Sequence, residues 1–352
     1  MATADELTPR ERRVLEAVIQ TYVQTAEPAG SRVLSRRFGL GVSPATIRNT
    51  MSDLEEKGFL MHPHTSAGRV PTDKAYRAYV NSLMNAPASA IVVSERERLE
   101  AEISASNSTI DTILRRAAQS LGVLTQELGI ALGPRLDESV LTSLELVRVA
   151  GDRLLLVLTL QGGVVRTVFV EVRGTLSDSA VFEVSRVLNE RLAGHTLREL
   201  RASVAERLRD TSTNAESEEL LNIFVQEGDQ LLDVALPMGE GSVIVGQASV
   251  LASQPEFGGA ENLRRLLTLT EEPARLADAL RRKHSGDEKP GVSITIGGEH
   301  GDPRFDQFTV VTAEYHAGQL AGVIGVIGPT RMSYEKVISL VQHTSRLLSD
   351  LL

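Results

Sequence analysis

The sequence predicts a multidomain α+β protein, and three features of its 352 residues indicate this fold class. Capping residues and apolar residues at helical spacing mark three short helices within the first 58 residues. Alternating apolar residues, separated by glycine-containing turns, predict antiparallel strands at 144–172 and again at 293–327. Between these two groups of strands, residues 177–236 carry the apolar stripes of helices.

The N-terminal residues are expected to form a helix-turn-helix behind a supporting helix. Residues 8–11 read Thr-Pro-Arg-Glu, a capping box with proline at the first helical position. A second helix is expected to begin with Ser31 as its cap, and the glycine-rich residues 39–42 form a tight turn. Residues 43–58 then form a third helix, with a serine-proline start and a glycine end. Two short helices joined in this way are typical of a helix-turn-helix.

The third helix has two distinct faces. Ile47, Met51 and Leu54 fall on one face at helical spacing, which predicts that this face is buried. The opposite face carries small or polar residues and no acid in its first two turns: Ala45, Thr46, Arg48, Asn49 and Ser52. Arginine and asparagine side chains can pair with guanine and adenine edges in the major groove. We therefore expect base contacts from Ala45, Thr46, Arg48 and Asn49.

A β-ribbon is predicted directly after this helix. Residues 59–63 read as a strand, 64–68 as a small polar turn and 69–71 as the returning strand. A ribbon in this position is a wing, and Arg69 near its tip is expected to contact a phosphate or the minor groove, although a merely solvated arginine is the simpler alternative. The residues expected to contact the DNA backbone are Arg32, Ser43, His64, Thr65 and Arg69.

Composition limits the function classes. The chain has no cysteine, which excludes disulfides and thiolate chemistry, and its net charge is -9. Residues 1–85 hold eleven basic and nine acidic side chains, so the negative charge lies in the rest of the chain and would confine DNA binding to the N-terminal part. The N-terminus does not resemble a signal peptide, and no apolar run is long enough to cross a membrane. We expect a cytoplasmic protein without membrane contact.

The remainder of the chain reads as one antiparallel sheet with flanking helices, interrupted by a helical insertion near 175–240. A long helix is predicted from 94 to 128, and its apolar stripe suits either core packing, the simpler reading, or a dimer seam. Strands are predicted at 144–150, 153–160, 164–172, 242–250, 293–296, 308–315 and 319–327. A final helix carries its apolar residues, from 337 to 351, on one face.

Three segments resemble the family of heat-inducible transcription repressors named HrcA. They are Glu27-Pro28-Ala29-Gly30-Ser31-Arg32, Ser43-Pro44-Ala45-Thr46-Ile47-Arg48-Asn49 and Pro63-His64-Thr65-Ser66-Ala67-Gly68-Arg69-Val70-Pro71-Thr72, and the resemblance resumes in Gly325-Val326-Ile327-Gly328-Pro329-Thr330-Arg331-Met332-Ser333-Tyr334. Ala75 and Asn81 stand where the family usually has glycine and aspartate, but neither lies on the predicted DNA-binding face.

The resemblance implies an N-terminal winged helix-turn-helix followed by a GAF-like domain that is interrupted by a dimerising insertion. The corresponding domains are 1–86 for DNA binding, 91–174 with 241–352 for the GAF-like domain, and 175–240 for the insertion. It also implies a homodimer that binds an inverted repeat in double-stranded DNA upstream of chaperone operons (the groE and dnaK type). Heat shock would relieve the repression, and the chaperonin would maintain the repressor's activity.

Other chemistries find little support in the sequence. The motif Gly297-Gly298-Glu299-His300-Gly301-Asp302 lacks the lysine of a phosphate-binding loop, and we interpret it as a loop between strands. His62 and His64 are two potential metal ligands without a third, so no metal site is predicted. Neither a Gly-x-Ser-x-Gly elbow nor a His-Glu-x-x-His motif occurs, and we predict no catalytic residues, no cofactor and no enzyme activity.

Two further possibilities are kept open. The first is a metabolite-sensing regulator whose sheet domain binds a small effector. The second concerns a basic cluster, which is either a solvated surface or a contact for a partner: Arg264, Arg265, Arg275, Arg281, Arg282 and Lys283.

Overall fold

The computed structural model has a mixed α+β fold with antiparallel strand pairs, as the sequence predicts. It describes residues 7–63, 68–85, 93–104, 110–134, 136, 139–150, 153–161, 164–172, 176–209, 215–235, 243–281, 291–318 and 320–352. No helix in these ranges is both long and apolar enough to span a membrane.

The elements before the first long strands are α1 (Pro9–Thr25), α2 (Ser31–Phe38), α3 (Pro44–Glu56), β1 (Leu60–Met61), β2 (Val70–Pro71), α4 (Asp73–Asn85), α5 (Val93–Ile103), α6 (Ile110–Thr125) and β3 (Leu128–Leu132). A second group follows: β4 (Leu141–Ala150), β5 (Arg153–Leu160), β6 (Val165–Glu171), α7 (Asp178–Leu192), α8 (Leu197–Leu208) and α9 (Ala215–Ala235). The C-terminal elements are β7 (Val243–Val245), α10 (Ser249–Ala252), α11 (Ala260–Glu271), α12 (Pro273–Arg281), β8 (Ser293–Ile296), β9 (Phe308–Ala317), β10 (Leu320–Pro329) and α13 (Tyr334–Leu351), with short 3₁₀ helices at Pro255–Phe257 and Gly297–His300.

The chain divides into two compact units. The first unit comprises Met1–Ala131, Val243–Glu314 and Val323–Leu347, and the second comprises Leu132–Ser242, Tyr315–Gly322 and Leu348–Leu352. The strands β4 to β6 therefore belong to the same unit as α7, α8 and α9. The domain boundaries that we predict from the sequence remain predictions.

The prediction of one continuous sheet is wrong. The described strands form a two-stranded ribbon β1-β2, a five-stranded sheet in the order β7-β3-β10-β9-β8, and a separate three-stranded sheet β4-β5-β6. Apolar alternation identifies which face of a strand is buried, but it does not identify the neighbouring strand. The number of sheets was therefore beyond what alternation alone could predict.

The predicted long helix at 94–128 is also wrong. The structure has α5 and α6 in this region, and Leu128 begins the strand β3 instead of ending a helix. All five residues of β3 are buried. A short apolar run in a sequence predicts a buried strand and a buried helix equally well, so the run does not distinguish between them. The turn before β3 contains Gln126 with a φ of 62°, and a Cβ at Gly129 would lie 1.8 Å from the carbonyl oxygen of Ala118.

Two smaller corrections concern the ends of elements. Gly30 is the N-cap of α2, whereas the predicted cap Ser31 is the first residue of the helix. The predicted strand at 242–250 ends at Val245, and the chain then enters the short helix α10. The capping box of α1 and the Ser43 cap of α3 are confirmed.

The second unit is built on the meander of β4, β5 and β6. Leu154, Leu156 and Leu158 of β5 are buried at alternate positions, and α7 and α9 pack against this sheet. The side chain of Asn189 on α7 accepts a 2.8 Å hydrogen bond from the backbone N–H of Leu144 on β4. A half-buried three-stranded sheet needs such a covered face to be stable.

A buried carboxyl group lies beside β10 in the first unit. The Glu127 side chain is 3% exposed, and Nε2 of Gln254 donates a 3.2 Å hydrogen bond to its Oε2 atom. A Cβ at Gly328 would lie 2.0 Å from this Oε2 atom, so a larger residue there would displace the Glu127 carboxyl group. Burial raises the pKa of Glu127 well above its ordinary value of 4.5, against the smaller opposite effects of Gln254 and Arg331.

This buried carboxyl generates a prediction about stability and pH. The pKa of this carboxyl is higher in the folded protein than in the unfolded chain, where it is near 4.5. Its contribution to the free energy of unfolding is therefore fully present below pH 4.5 and is lost as the pH rises through the folded-state pKa. Glu127→Gln removes the ionisable group, so we expect its Tm to exceed that of the unmodified protein by about 2 °C or more at pH 8, and by less at pH 5. Thermal unfolding followed by circular dichroism at both pH values measures the difference.

The control for this experiment is Glu219→Gln, which changes an exposed carboxyl on α9. We expect Glu219→Gln to change the Tm only slightly, and by the same amount at both pH values. A Glu127→Gln protein that is less stable than the unmodified protein at pH 8 would contradict the prediction.

Candidate nucleic-acid interface

Local sequence determines where α3 begins and which of its faces is buried. Oγ of Ser43 accepts a 3.1 Å hydrogen bond from the backbone N–H of Thr46, which caps the helix. Ile47 and Leu54 are fully buried and Met51 nearly so, and α3 packs against α1 and α2. This packing fixes the opposite face of α3 towards solvent.

The solvent face of α3 carries the residues that we expect to contact bases. Ala45, Arg48 and Asn49 are exposed, and Thr46 is half-buried beside Ser43, with 3.0 Å between the two hydroxyl oxygens. Within residues 43–52 there is no acidic side chain, and the acids of α3 lie in its last two turns. The N-terminal half of the helix is therefore open to a polyanion.

Helix α2, which packs against α3, carries further exposed cations. Arg32 and Arg36 are both exposed, four residues apart, and so lie on the same side of the helix. Gly39 and Gly41, with φ values of 52° and 69°, form the turn that leads from α2 to α3. Arg36 is not among the residues that the sequence predicts to contact DNA, and its spacing of four residues from Arg32 adds it as a candidate.

The ribbon after α3 is short and is held by backbone contacts. Leu60 pairs with Pro71 and Met61 with Val70 in the antiparallel ribbon. The backbone groups of Ala29 and Arg69 exchange hydrogen bonds of 2.8 and 3.0 Å, which fix the ribbon beside the loop before α2. The predicted contact residues His64 and Thr65 lie outside the described residues.

The structure places Arg69 differently from our expectation of a free cation at the wing tip. Its Nη2 atom lies 2.7 Å from Oε2 of Glu55 on α3, and the Arg69 side chain is only 15% exposed. Nδ1 of His62 lies 3.1 Å from the other oxygen of the same carboxylate. In this geometry Arg69 joins the ribbon to α3, so the expected DNA contact of Arg69 has no support here and remains a prediction.

Helix α4 connects the N-terminal helices to the five-stranded sheet within the first unit. Nε of Arg77 donates a 2.7 Å hydrogen bond to Glu299, and its Nη2 donates a 2.6 Å bond to the carbonyl of Ile294 at the end of β8. The Asp73 carboxylate accepts a 3.1 Å bond from the backbone N–H of Gly298. The glycine motif at 297–302 thus connects two strands, as predicted, and it also forms hydrogen bonds with α4.

A second connection runs through Arg331, in the C-terminal segment of the family resemblance. Its Nη1 donates a 2.6 Å hydrogen bond to the carbonyl oxygen of Val23 in the last turns of α1, while the rest of the guanidinium pairs with Glu256. Tyr334 packs against Tyr76 of α4, with ring centroids 5.7 Å apart. The support of α3 therefore depends on residues more than 250 positions away in the chain.

The remaining groups that the sequence singles out are potential metal ligands and a basic cluster. No group of three potential metal ligands comes together in the described part of the chain. Arg264, Arg265 and Arg275 of the predicted basic cluster lie near one another on α11 and α12, while Arg282 and Lys283 lie outside the described residues.

The comparisons with known proteins agree over the length of the chain. A family model described as the HrcA protein C-terminal domain matches residues 111–338. The heat-inducible transcription repressor HrcA of Chlorobium chlorochromatii (strain CaD3) is 38% identical over 349 residues, which cover 99% of this chain and 98% of that protein. The protein of the same name from Geobacter sulfurreducens (strain ATCC 51573 / DSM 12127 / PCA) is 37% identical over 356 residues, with 99% and 98% covered.

A solved structure shares the fold. A crystal structure described as that of a hypothetical protein, at 2.2 Å resolution, has a TM-score of 0.69 and covers 98% of each chain at 22% identity. Its low identity makes this a statement about the fold alone. The family model and the two relatives carry the assignment, and they show that this chain belongs to the HrcA family of heat-inducible transcription repressors, which is not a family of enzymes.

Proposed function

We propose that this protein is a homodimeric repressor that binds an inverted repeat upstream of chaperone operons of the groE and dnaK type. In this proposal α1 to α4 with the β1-β2 ribbon form a winged helix-turn-helix, and the five-stranded sheet belongs to a GAF-like domain. The observation that carries the proposal is the exposed, acid-free N-terminal half of α3 beside the exposed arginines of α2. A two-fold dimer presents two such faces, which matches the symmetry of an inverted repeat.

In the proposed complex α3 lies in the major groove. Ala45 is small enough to let the helix approach the bases, and Arg48 and Asn49 carry the side chains that pair with guanine and adenine. Arg32 and Arg36 are placed to contact phosphates beside the groove, and Ser43 can donate its hydroxyl proton there as well. Base contacts would set the sequence preference, and the phosphate contacts would set the affinity and its dependence on salt.

The second unit supports the dimer part of the proposal. Val147 of β4 pairs with Leu155 of β5, which pairs with Phe169 of β6, so the three side chains form one row across the sheet. This row lies on the face opposite the helices, and the Phe169 side chain is 61% exposed. Val149 and Val165 are also exposed on these strands. An exposed apolar surface of this kind marks an interaction site, and we propose that a second copy of the chain covers it.

The predicted domain limits are part of the same proposal. Residues 1–86 would bind DNA, 91–174 with 241–352 would form the GAF-like domain, and 175–240 would be the dimerising insertion. Because β4, β5 and β6 group with α7 to α9, the structure favours an insertion that begins before residue 175.

Heat relief would follow from the contacts of the first unit. Arg331 supports α1, and Arg77 holds α4 at Glu299. Warming that loosens the five-stranded sheet would therefore remove the support of α1 and α4, and with it the position of α3. Folded domains are stable by only about 5–15 kcal/mol, so a modest loss of contacts is sufficient. A chaperonin that refolds this unit would restore repression.

The exposed face of α3 gives the first prediction of this proposal. Arg48→Ala removes a base-pairing side chain, and we expect the preference for the inverted repeat over a scrambled duplex to fall about ten-fold, since one such contact is worth roughly 1–3 kcal/mol. Arg36→Ala is the matched control, because loss of a phosphate contact weakens both duplexes alike and lowers the salt slope by about 1. Fluorescence anisotropy titrations at several salt concentrations measure both quantities. An unchanged preference in Arg48→Ala would count against the proposal.

The dimer surface yields a second prediction. Phe169→Asp places a charge in the exposed row, and we expect the protein to become monomeric, because the charge would lose its water in the interface. Leu267→Asp is the control: Leu267 is 48% exposed on α11, outside the proposed insertion, and its replacement should leave the dimer intact. Sedimentation velocity measures the oligomeric state. A dimeric Phe169→Asp protein, or a monomeric unmodified protein, would refute this assignment.

Chaperonin dependence yields a third prediction. We expect the denatured protein to regain more operator-binding activity when it refolds with chaperonin and ATP than when it refolds alone. Chaperonin without ATP serves as the control for simple binding of the unfolded chain. Equal recovery in all three samples would remove the chaperonin from the proposal without affecting DNA recognition.

A further inference from the structure

Two adjoining cavities open beside α11 and α12 in the first unit. Their volumes are about 200 Å³ and 290 Å³, and both are lined by Arg275, Arg304 and Phe305. Small-molecule sites have volumes of roughly 300–1,000 Å³, so each cavity alone is small for such a site and a ligand of that size would extend across both, past the residues that they share.

Arginines outnumber acids around the first cavity. Its charged lining consists of Arg264, Arg265, Arg275 and Arg304 with Glu261 and Glu272. Each glutamate is shared by two arginines. Glu261 lies 3.4 Å from both Arg264 and Arg265, and Glu272 lies 2.7 Å from Arg275 but 3.7 Å from Arg304. Strong charge-assisted hydrogen bonds measure about 2.7–2.9 Å, so only one of these four contacts is strong.

Arg264 and Arg265 are only weakly paired, through Glu261 at 3.4 Å, so their guanidinium groups are accessible to an anion. Arg275 and Arg304 line the same cavity but are held more tightly, by Glu272 and Asp302. The side chain of Arg264 is 75% exposed, and Arg265, Arg275 and Arg304 are each about half exposed. Exposed pairs of this kind are weak and screened by solvent, so another anion can replace them at little cost. Guanidinium groups pair with carboxylate and phosphate alike, and phosphate is favoured here because its second negative charge matches the excess of two positive charges in the lining, four arginines against two glutamates.

The second cavity is lined by carboxylates as well as by the shared Arg275 and Arg304. Asp278 and Asp302 contribute carboxylates to its lining. Asp302 also holds Arg304 through two hydrogen bonds, of 3.0 Å to Nε and 2.8 Å to Nη2. Ionised carboxylates only accept hydrogen bonds, so this end suits hydroxyl groups. The ring of the buried Phe305 lies where the cavities meet and gives the body of a ligand an apolar contact.

We propose that the joined cavities bind a small phosphate ester whose body carries hydroxyl groups, with its phosphate among the arginines and its hydroxyl groups at Asp278 and Asp302. This inference supplies a ligand class for the metabolite-sensing alternative. It does not depend on the DNA-binding proposal, because ligand binding can be measured without DNA.

The site lies next to the contacts of α4. Asp302 and Arg304 closely follow the 3₁₀ helix Gly297–His300, whose Gly298 and Glu299 bind Asp73 and Arg77. A ligand that binds Arg304 and Asp302 therefore contacts the segment that holds the N-terminal helices.

Isothermal titration calorimetry of the full chain tests this inference. The probes are fructose 1,6-bisphosphate and ADP, each a phosphate ester with hydroxyl groups, and the fragments inorganic phosphate and ribose. We expect saturable binding of at least one ester, about ten-fold or more tighter than either fragment, because phosphate and hydroxyl contacts add. The double variant Arg264→Ala/Arg304→Ala should bind that ester about ten-fold more weakly or worse.

The control is Arg186→Ala, which removes a helix-surface arginine that is also paired with a glutamate, in the second unit. It should leave ester binding unchanged. Circular dichroism checks that each variant is folded, and the single variant Arg264→Ala serves as a second test, since this exposed side chain supports no buried group. Binding of neither ester, binding no tighter than that of inorganic phosphate, or equal affinity in the variants and the control would overturn the proposal. Weaker DNA binding by the double variant without any ester would identify the cluster as a DNA contact instead.

Discussion

The attachment of α1 within the first unit depends on a partly buried arginine. Arg331 binds the carbonyl of Val23 on α1 and pairs with Glu256, while α4 is held separately at Glu299. A buried ion pair whose partner is removed leaves an uncompensated charge, so each of these groups requires the others. The N-terminal helices are therefore an integral part of the first unit.

This arrangement bears on how a repressor of this family can respond to conditions. A DNA-binding domain on a free linker would keep its activity when the rest of the chain unfolds. Here α1 and α4 share contacts with the sheet, and the buried Glu127 lies beside β10 in the same unit. Changes that act on this sheet, whether by heat, pH or a ligand, consequently act on the support of α3.

The two regions to which we assign binding functions differ in how their charged residues are arranged. Acid-free surface with exposed arginines occurs on α2 and the first half of α3, in a chain whose net charge is -9. The arginines around Arg304 are instead interleaved with glutamates and aspartates, as in a site for a ligand that has both acidic and hydroxyl groups. The two basic regions therefore have different chemistry, although a count of arginines makes them look alike.

Tertiary structure was needed wherever a residue's partner is distant in the chain. Arg69 reads as a free wing cation in the sequence, but it pairs with Glu55 on α3. Leu128 reads as the last residue of a long helix in the sequence, but it begins the strand β3, which pairs with β7 on one edge and β10 on the other. The burial of Glu127 and the separation of β4 to β6 from the larger sheet also arise from such packing, which spacing along the chain does not encode.

The sequence by itself determined the ends and the faces of α3. Ser43, Pro44 and Gly58 act on groups within a few residues, and the spacing of Ile47, Met51 and Leu54 is a property of the helix itself. Such features are encoded by residues a few positions apart, so they can be recognised directly in the sequence. Only the tertiary structure decided which charged side chains remain free for a partner. The group that neutralises a charge is often distant in the chain and is brought next to it by folding.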